Sequence, residues 1–287
     1  MTQAAAKQRG EGAGGRWRSL PRLLGWTRAS YVLLSTFLLT IFLLAYFWWP
    51  LAVDYLSYAD WSKPWWTQVD WLLIGIFLFM TLVLMAGADL RADAGIVLVG
   101  LVGGLVIESW GTQTEIWTYY TNERPPLWII PAWPIASLTI DRLVRSGQRR
   151  LPPLPERALR IIYWPLFVSF YGLMLWFVWP TIDLSFTRAA LALCALFILT
   201  PTDYRLAVIT FLAGAGLGYF LELWGTTRLC WTYYTGQQPP LFAVLAHGMA
   251  AVAFWRALYL LRLVAGDAGR RLGLRPLTKG ESLPGQG

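Results

Sequence analysis

Two glutamates, Glu108 and Glu222, sit near the ends of long apolar runs with the same residues around each. Glu108 lies in Gly104-Leu105-Val106-Ile107-Glu108-Ser109-Trp110-Gly111-Thr112, followed by Trp117-Thr118-Tyr119-Tyr120-Thr121 and Pro125-Pro126-Leu127. Glu222 lies in Gly218-Tyr219-Phe220-Leu221-Glu222-Leu223-Trp224-Gly225-Thr226, followed by Trp231-Thr232-Tyr233-Tyr234-Thr235 and Pro239-Pro240-Leu241. The copies align without a gap over residues as rare as Trp and Tyr, which marks an internal duplication. A carboxylate among apolar residues costs a few kcal/mol unless it is paired, protonated or close to water. Three uses satisfy that demand. The glutamate acts as a general acid, binds a cation, or ties down the loop after its own helix by hydrogen bonds.

The available partners are local: the Thr112 and Thr226 hydroxyls, the Trp110 and Trp224 indoles, and the hydroxyls of Tyr119, Tyr120, Tyr233 and Tyr234, with Arg124 or Arg228 also within reach. The Trp-Thr-Tyr-Tyr-Thr loops, with Trp117 and Trp231 at their heads, read either as an interfacial aromatic girdle or as the wall of a site for an elongated apolar ligand. Gly100 and Gly104 precede Glu108 at four-residue intervals, as Gly214 and Gly218 precede Glu222. That spacing puts a small-residue groove on the carboxylate's face and lets helices approach closely. The economical arrangement crosses the third and seventh spans at these grooves. Asp89 and Asp203 are placed as N-caps with Arg91 and Arg205 as ion-pair partners. His247, the chain's one histidine, stands where the first copy has Trp133, and reads as a proton carrier or a packing residue.

The first copy, on Glu108, Gly111, Thr112, Trp117, Tyr119, Tyr120, Thr121, Pro126, Leu127, Pro131 and Trp133, resembles the carotenoid-biosynthesis membrane proteins that include carotenoid hydratases. The resemblance covers about 30 residues in each half. The chain departs from that family's pattern in lacking Phe-Gly before the tyrosine, in being duplicated, and in carrying His247 in place of the second Trp. The resemblance implies an isoprenoid or carotenoid ligand and a glutamate acting as an acid.

The elements that position these residues follow from composition. The chain is 56% hydrophobic and 14% charged with a mean hydropathy of +0.48, where soluble domains carry about 25% charged residues. It is expected to be an all-α polytopic membrane protein. Eight spans are placed at about 29–47, 71–88, 94–111, 129–143, 161–178, 188–199, 206–225 and 245–263, with a Trp-rich interfacial segment at 55–70. They form two parallel four-helix repeats, 29–145 and 161–263, related by a pseudo-two-fold along the membrane normal. A basic tail (1–28), a basic Pro-rich linker (146–160) and a second tail (264–287) fall on the cytoplasmic side, and the motif loops fall on the outer face of an inner membrane.

The net charge of +8 is explained by these loops, so no nucleic-acid partner is expected. One histidine and two cysteines leave little to build a metal centre from. No cofactor is expected beyond a bound isoprenoid, carotenoid or lipid. Three functions compete: a binding or structural subunit holding a lipid, pigment, or partner membrane or periplasmic protein; an isoprenoid-modifying enzyme using Glu108 or Glu222; and a small-solute or ion transporter. The first requires the fewest special residues.

Overall fold

The computed structural model describes residues 25–271, so residues 1–24 and 272–287 of the expected basic tails lie outside the described residues. Among the described residues eight α-helices carry the fold: α1 Arg28–Ser57, α2 Trp71–Met85, α3 Leu90–Gln113, α4 Ala132–Arg150, α5 Glu156–Phe177, α6 Ser185–Leu199, α7 Tyr204–Thr227 and α8 Leu241–Arg271. Among the described residues six stretches are long and apolar enough to cross a membrane: α1, α3, α5, α7, Leu127–Arg150 and Leu241–Val264. The molecule is a helical membrane protein. The other two helices, α2 and α6, have 15 residues each, a length of about 22 Å at 1.5 Å per residue.

Several expected boundaries move. The first helix does not stop at Trp48-Trp49-Pro50 but runs to Ser57 with Pro50 inside it. Neighbouring packing holds the break: the Trp48 ring lies 4.7 Å from Trp224 and 5.9 Å from Trp128. The Trp-rich segment therefore shortens to a turn and a single 3₁₀ turn at Trp65–Thr67. The helix expected at 129–143 begins at Ala132, after the 3₁₀ turn Leu127–Ile129, and runs to Arg150. Pro134 sits in its first turn, where no intrahelical N–H is required. Arg142, Arg145 and Arg149 thus project from a helix rather than a loop. Helix α8 likewise continues to Arg271, through the first residues of the expected tail.

The ends of the helices are fixed by named bonds. At one end of the bundle, the Thr27 and Ser30 hydroxyls donate to the Ala88 and Met85 carbonyls at 2.8 and 2.7 Å, joining the start of α1 to the end of α2. Asp89 caps α3 by accepting from the Arg91 and Ala92 N–H groups, and Asp203 caps α7 by accepting from Leu206. The expected ion pairs with Arg91 and Arg205 do not form among the described residues. Arg205 instead donates to the Gln148 and Leu151 carbonyls. Near the same end Arg142 and Asp93 form a buried ion pair at 2.6 Å, and Asp141 also accepts from Arg142 at 2.8 Å.

The chain is not helical throughout. After α3 and α7 come two three-residue strands, β1 Trp117–Tyr119 and β2 Trp231–Tyr233, which pair antiparallel. Thr118 faces Thr232, Trp117 faces Tyr233 and Tyr119 faces Trp231. The pairing is centred on residues that correspond in the sequence repeat.

Candidate functional site

The strand pair hangs over the ends of α3 and α7 and turns its aromatic residues inward. Trp117, Tyr119 and Tyr233 are buried, so the girdle expected of these three residues is not what they form. They close instead on the two glutamates. Tyr119 Oη donates to Glu108 Oε1 at 2.9 Å, Trp133 Nε1 to the same oxygen at 3.1 Å, and Trp117 Nε1 to Oε2 at 3.1 Å. Tyr233 Oη donates to Glu222 Oε1 at 2.9 Å and Trp231 Nε1 to Oε2 at 2.9 Å. His247 Nε2 lies 3.0 Å from Glu222 Oε1. Both carboxyl groups are buried. Burial, and then the neighbouring glutamate, lift the Tyr119 and Tyr233 phenols well above the ordinary tyrosine value, which keeps them as protonated donors.

The motif glycines explain how an indole reaches back to a helix residue. A β-carbon on Gly111 would lie 1.8 Å from the Trp117 ring, and one on Gly225 would lie 2.0 Å from the Trp231 ring. Only glycine leaves the helix end bare enough for the ring to lie across it, with its N–H one turn back at the glutamate. The turn that brings the chain round uses left-handed residues at corresponding positions, Glu115 (φ 58°) and Leu229 (φ 56°).

The other glycines act differently from the expected crossing of the third and seventh spans. Each groove receives the last helix of its own half. A β-carbon on Gly100 would meet the Pro134 backbone at 2.9 Å, and one on Gly104 would meet the Trp133 side chain at 2.4 Å. On α7, Gly214 faces the His247 carbonyl and Gly248, and Gly218 faces the His247 side chain. The grooves therefore seat Trp133 and His247 against the glutamates. The connection from α3 to α4 carries β1 and the 3₁₀ turn Leu127–Ile129, and the two helices pack side by side along this glycine groove. Trp133 and His247 in turn stack on each other, with ring centroids 5.9 Å apart and planes 18° apart. Across the strands, Trp117–Tyr233 and Tyr119–Trp231 sit at 5.9 and 5.8 Å, each inclined by 53°.

Several expected partners are placed elsewhere. The Thr112 and Thr226 hydroxyls donate to the main-chain carbonyls of Glu108 and Glu222, not to the carboxylates. The Trp110 indole donates to Thr187 and the Trp224 indole to Asp70. Arg228 pairs with Asp70 at 3.0 Å and Arg124 with Glu115 at 2.6 Å, so neither arginine serves a motif glutamate. Tyr234 donates to the Phe177 carbonyl, while the buried Tyr120 hydroxyl has no partner among the described residues. Trp133 belongs to the Glu108 network and Asp70 anchors the cavity-wall Trp224 from outside it, and neither is among the expected site residues. Trp133 was legible, since it corresponds to His247 in the repeat. Asp70 had no such signal, because Leu184 holds the corresponding place.

Glu108, Glu222 and their aromatic donors line one cavity of about 300 Å³ between the two halves of the chain. Its remaining walls are apolar, among them Phe37, Ile76 and Met80 from α1 and α2 and Phe170, Met174 and Phe197 from α5 and α6. Trp110, Trp224 and His247 also border it, whereas Thr112, Thr226, Tyr120 and Tyr234 do not. Among the described residues no cluster of three or more His, Cys, Asp or Glu side chains is arranged to hold a metal ion. The arrangement can hold an apolar molecule and present carboxyl, phenol, indole and imidazole groups to it. No protein-family model matches the chain, and comparison with curated proteins and with solved structures gives no match.

Proposed function

We propose that this protein binds an elongated apolar molecule, a lipid or an isoprenoid, inside the membrane between two four-helix repeats. The observation that carries this reading is the cavity of about 300 Å³, apolar except where the two glutamate networks reach it. Pockets of this size and composition suit small hydrophobic ligands. The inward turn of Trp117, Tyr119 and Tyr233 favours an internal ligand over a partner protein docked on the outer face.

In this reading α2 and α6 complete eight spans. Leu78, Phe79 and Leu82 on α2 and Leu193, Leu196 and Leu199 on α6 are exposed, which suits lipid around both helices. The repeats are related by a pseudo-two-fold along the membrane normal, supported by the strand pairing centred on Thr118 and Thr232 and by the Trp133–His247 stack. The arginine-rich end of α4 supports a cytoplasmic side of an inner membrane for the linker, and with it for both termini. The test is gentle detergent purification, an absorption spectrum and mass spectrometry of the organic extract. A stoichiometric isoprenoid, pigment or lipid species is the expected result, and bulk lipid alone overturns the reading.

A second reading is favoured by one observation: both carboxyl groups lie on the cavity wall. A protonated glutamate there delivers its proton to a carbon–carbon double bond of an isoprenoid, leaving a carbocation that captures water or loses a neighbouring proton. This agrees with the carotenoid hydratase-like motif. Turnover of an isoprenoid by the purified chain, abolished by Glu222→Gln or Glu108→Gln, is its test.

A further inference from the structure

The two glutamate sites match in all but one member. Glu108 takes its third bond from an indole and Glu222 from an imidazole. An indole has a single polar atom, and Trp133 spends it on Glu108. An imidazole has two. His247 Nε2 faces Glu222, while Nδ1 has no hydrogen-bond partner among the described residues. The His247 side chain keeps 20% of its surface exposed and borders the cavity. The cavity is thus offered one unspent hydrogen-bonding atom by the second half and none by the corresponding residue of the first.

The tautomer decides what that atom can do. With Glu222 as a carboxylate, Oε1 accepts from Tyr233 and from His247 Nε2–H together. In the neutral imidazole this puts the proton on Nε2 and leaves a lone pair on Nδ1. The face of the ring is covered by Trp133, which leaves the ring edge for a ligand.

We propose that the ligand is amphiphilic and enters in one direction: a long apolar chain ending in a hydroxyl, with the hydroxyl donating to His247 Nδ1. This rests on the ligand-binding reading above and narrows its ligand class to alcohols. An ether or a hydrocarbon of the same length fills the apolar walls and leaves Nδ1 unserved.

The test compares farnesol with farnesyl methyl ether, which keeps the chain and the oxygen and loses only the donor. Binding to the purified full-length protein in detergent is followed by quenching of tryptophan fluorescence. The wild-type protein is expected to bind the alcohol about tenfold more tightly than the ether, the size of one hydrogen bond. His247→Trp, which copies the residue the first half already accommodates, is expected to bring the ratio to about one while ether binding persists. Equal affinities in the wild type overturn the proposal without requiring any variant, and leave the cavity reading standing. A preference that survives in His247→Trp overturns it too, by placing the hydroxyl elsewhere. Failure of both probes to bind overturns the cavity reading together with this one.

Discussion

The two halves of the chain hold their glutamates with the same tools and anchor them differently. Each carboxyl group receives an indole and a phenol from a strand and a third ring from the last helix of its half. Away from the site the halves diverge. The first half buries Asp93 against Arg142, but the second has Ala207 where the acid would stand, and Arg256 donates instead to the Thr200 carbonyl at the end of α6. On the strand side, Asp70 at the start of α2 collects the Trp224 indole and Arg228 from the other half. Leu184 offers nothing equivalent, and Trp110 turns to Thr187. What has stayed alike is the strand indole and phenol on each glutamate, and what has drifted is the framing. That pattern fits a duplicated site whose geometry is under constraint, with freedom at the helix ends.

The sharpest way to break the comparison is at the framing. Asp93→Ala leaves Arg142 buried without its main partner, and breaking such a pair costs about 3–5 kcal/mol, with Asp141 holding the loss near the lower end. Arg256→Met removes bonds to the neutral Thr200 carbonyl and hydroxyl and is expected to cost about 1 kcal/mol. Thermal unfolding in detergent should therefore show a large drop for the first and a small one for the second.

At the glutamates the halves should respond alike in stability and differently in binding. Glu108→Gln and Glu222→Gln each place an amide N–H₂ against donors and weaken a charge-assisted set, for about 1.5–3 kcal/mol. Only Glu222→Gln also frees the His247 tautomer, so only it should change the alcohol-over-ether ratio. Equal changes in that ratio would erase the distinction between the sites.

The glycine seats should be interchangeable between halves. Gly111→Ala and Gly225→Ala each push a methyl into an indole ring and are expected to cost about 1–3 kcal/mol by overpacking, with similar losses of melting temperature. A much smaller effect in one half would mean that its tryptophan is free to move aside.

The mildest effect belongs to Asp70. Burial works to raise its carboxyl, but the Leu73 N–H, Arg228 and Trp224 together hold it below the ordinary value of 3.8. A depressed acid adds stability above its unfolded value and loses it as pH falls through the folded one. Melting temperature should fall below about pH 3.8, by a smaller margin in Asp70→Asn, with no counterpart assignable to Leu184.

How much of this was legible in the sequence depends on the kind of information. Apolar run length carries the helices. The repeat carries the choice of Glu108 and Glu222, because two independent copies of so many aromatics around a carboxylate require a reason. The partners of the glutamates were harder. Trp110 lies two residues after Glu108, about 200° around the helix, and points away from the carboxylate. Thr112, four residues on, follows the habit of hydroxyls in helices and bonds back to the carbonyl of residue 108. Both facts follow from helix geometry alone. The strand pairing does not, since three-residue strands leave no periodic trace. Asp93 escaped notice for the opposite reason that Glu108 attracted it: the repeat does not copy it.

The central claim is that the cavity holds a hydrophobic ligand, and native mass spectrometry of the protein released from gentle detergent tests it most directly. The wild-type chain should carry one added mass of a single apolar or amphiphilic species. Ala190→Phe, which places a ring into the cavity wall, should lose that mass while keeping the fold. A wild-type spectrum with no adduct beyond bulk lipid, or an adduct that Ala190→Phe leaves untouched, would contradict the account.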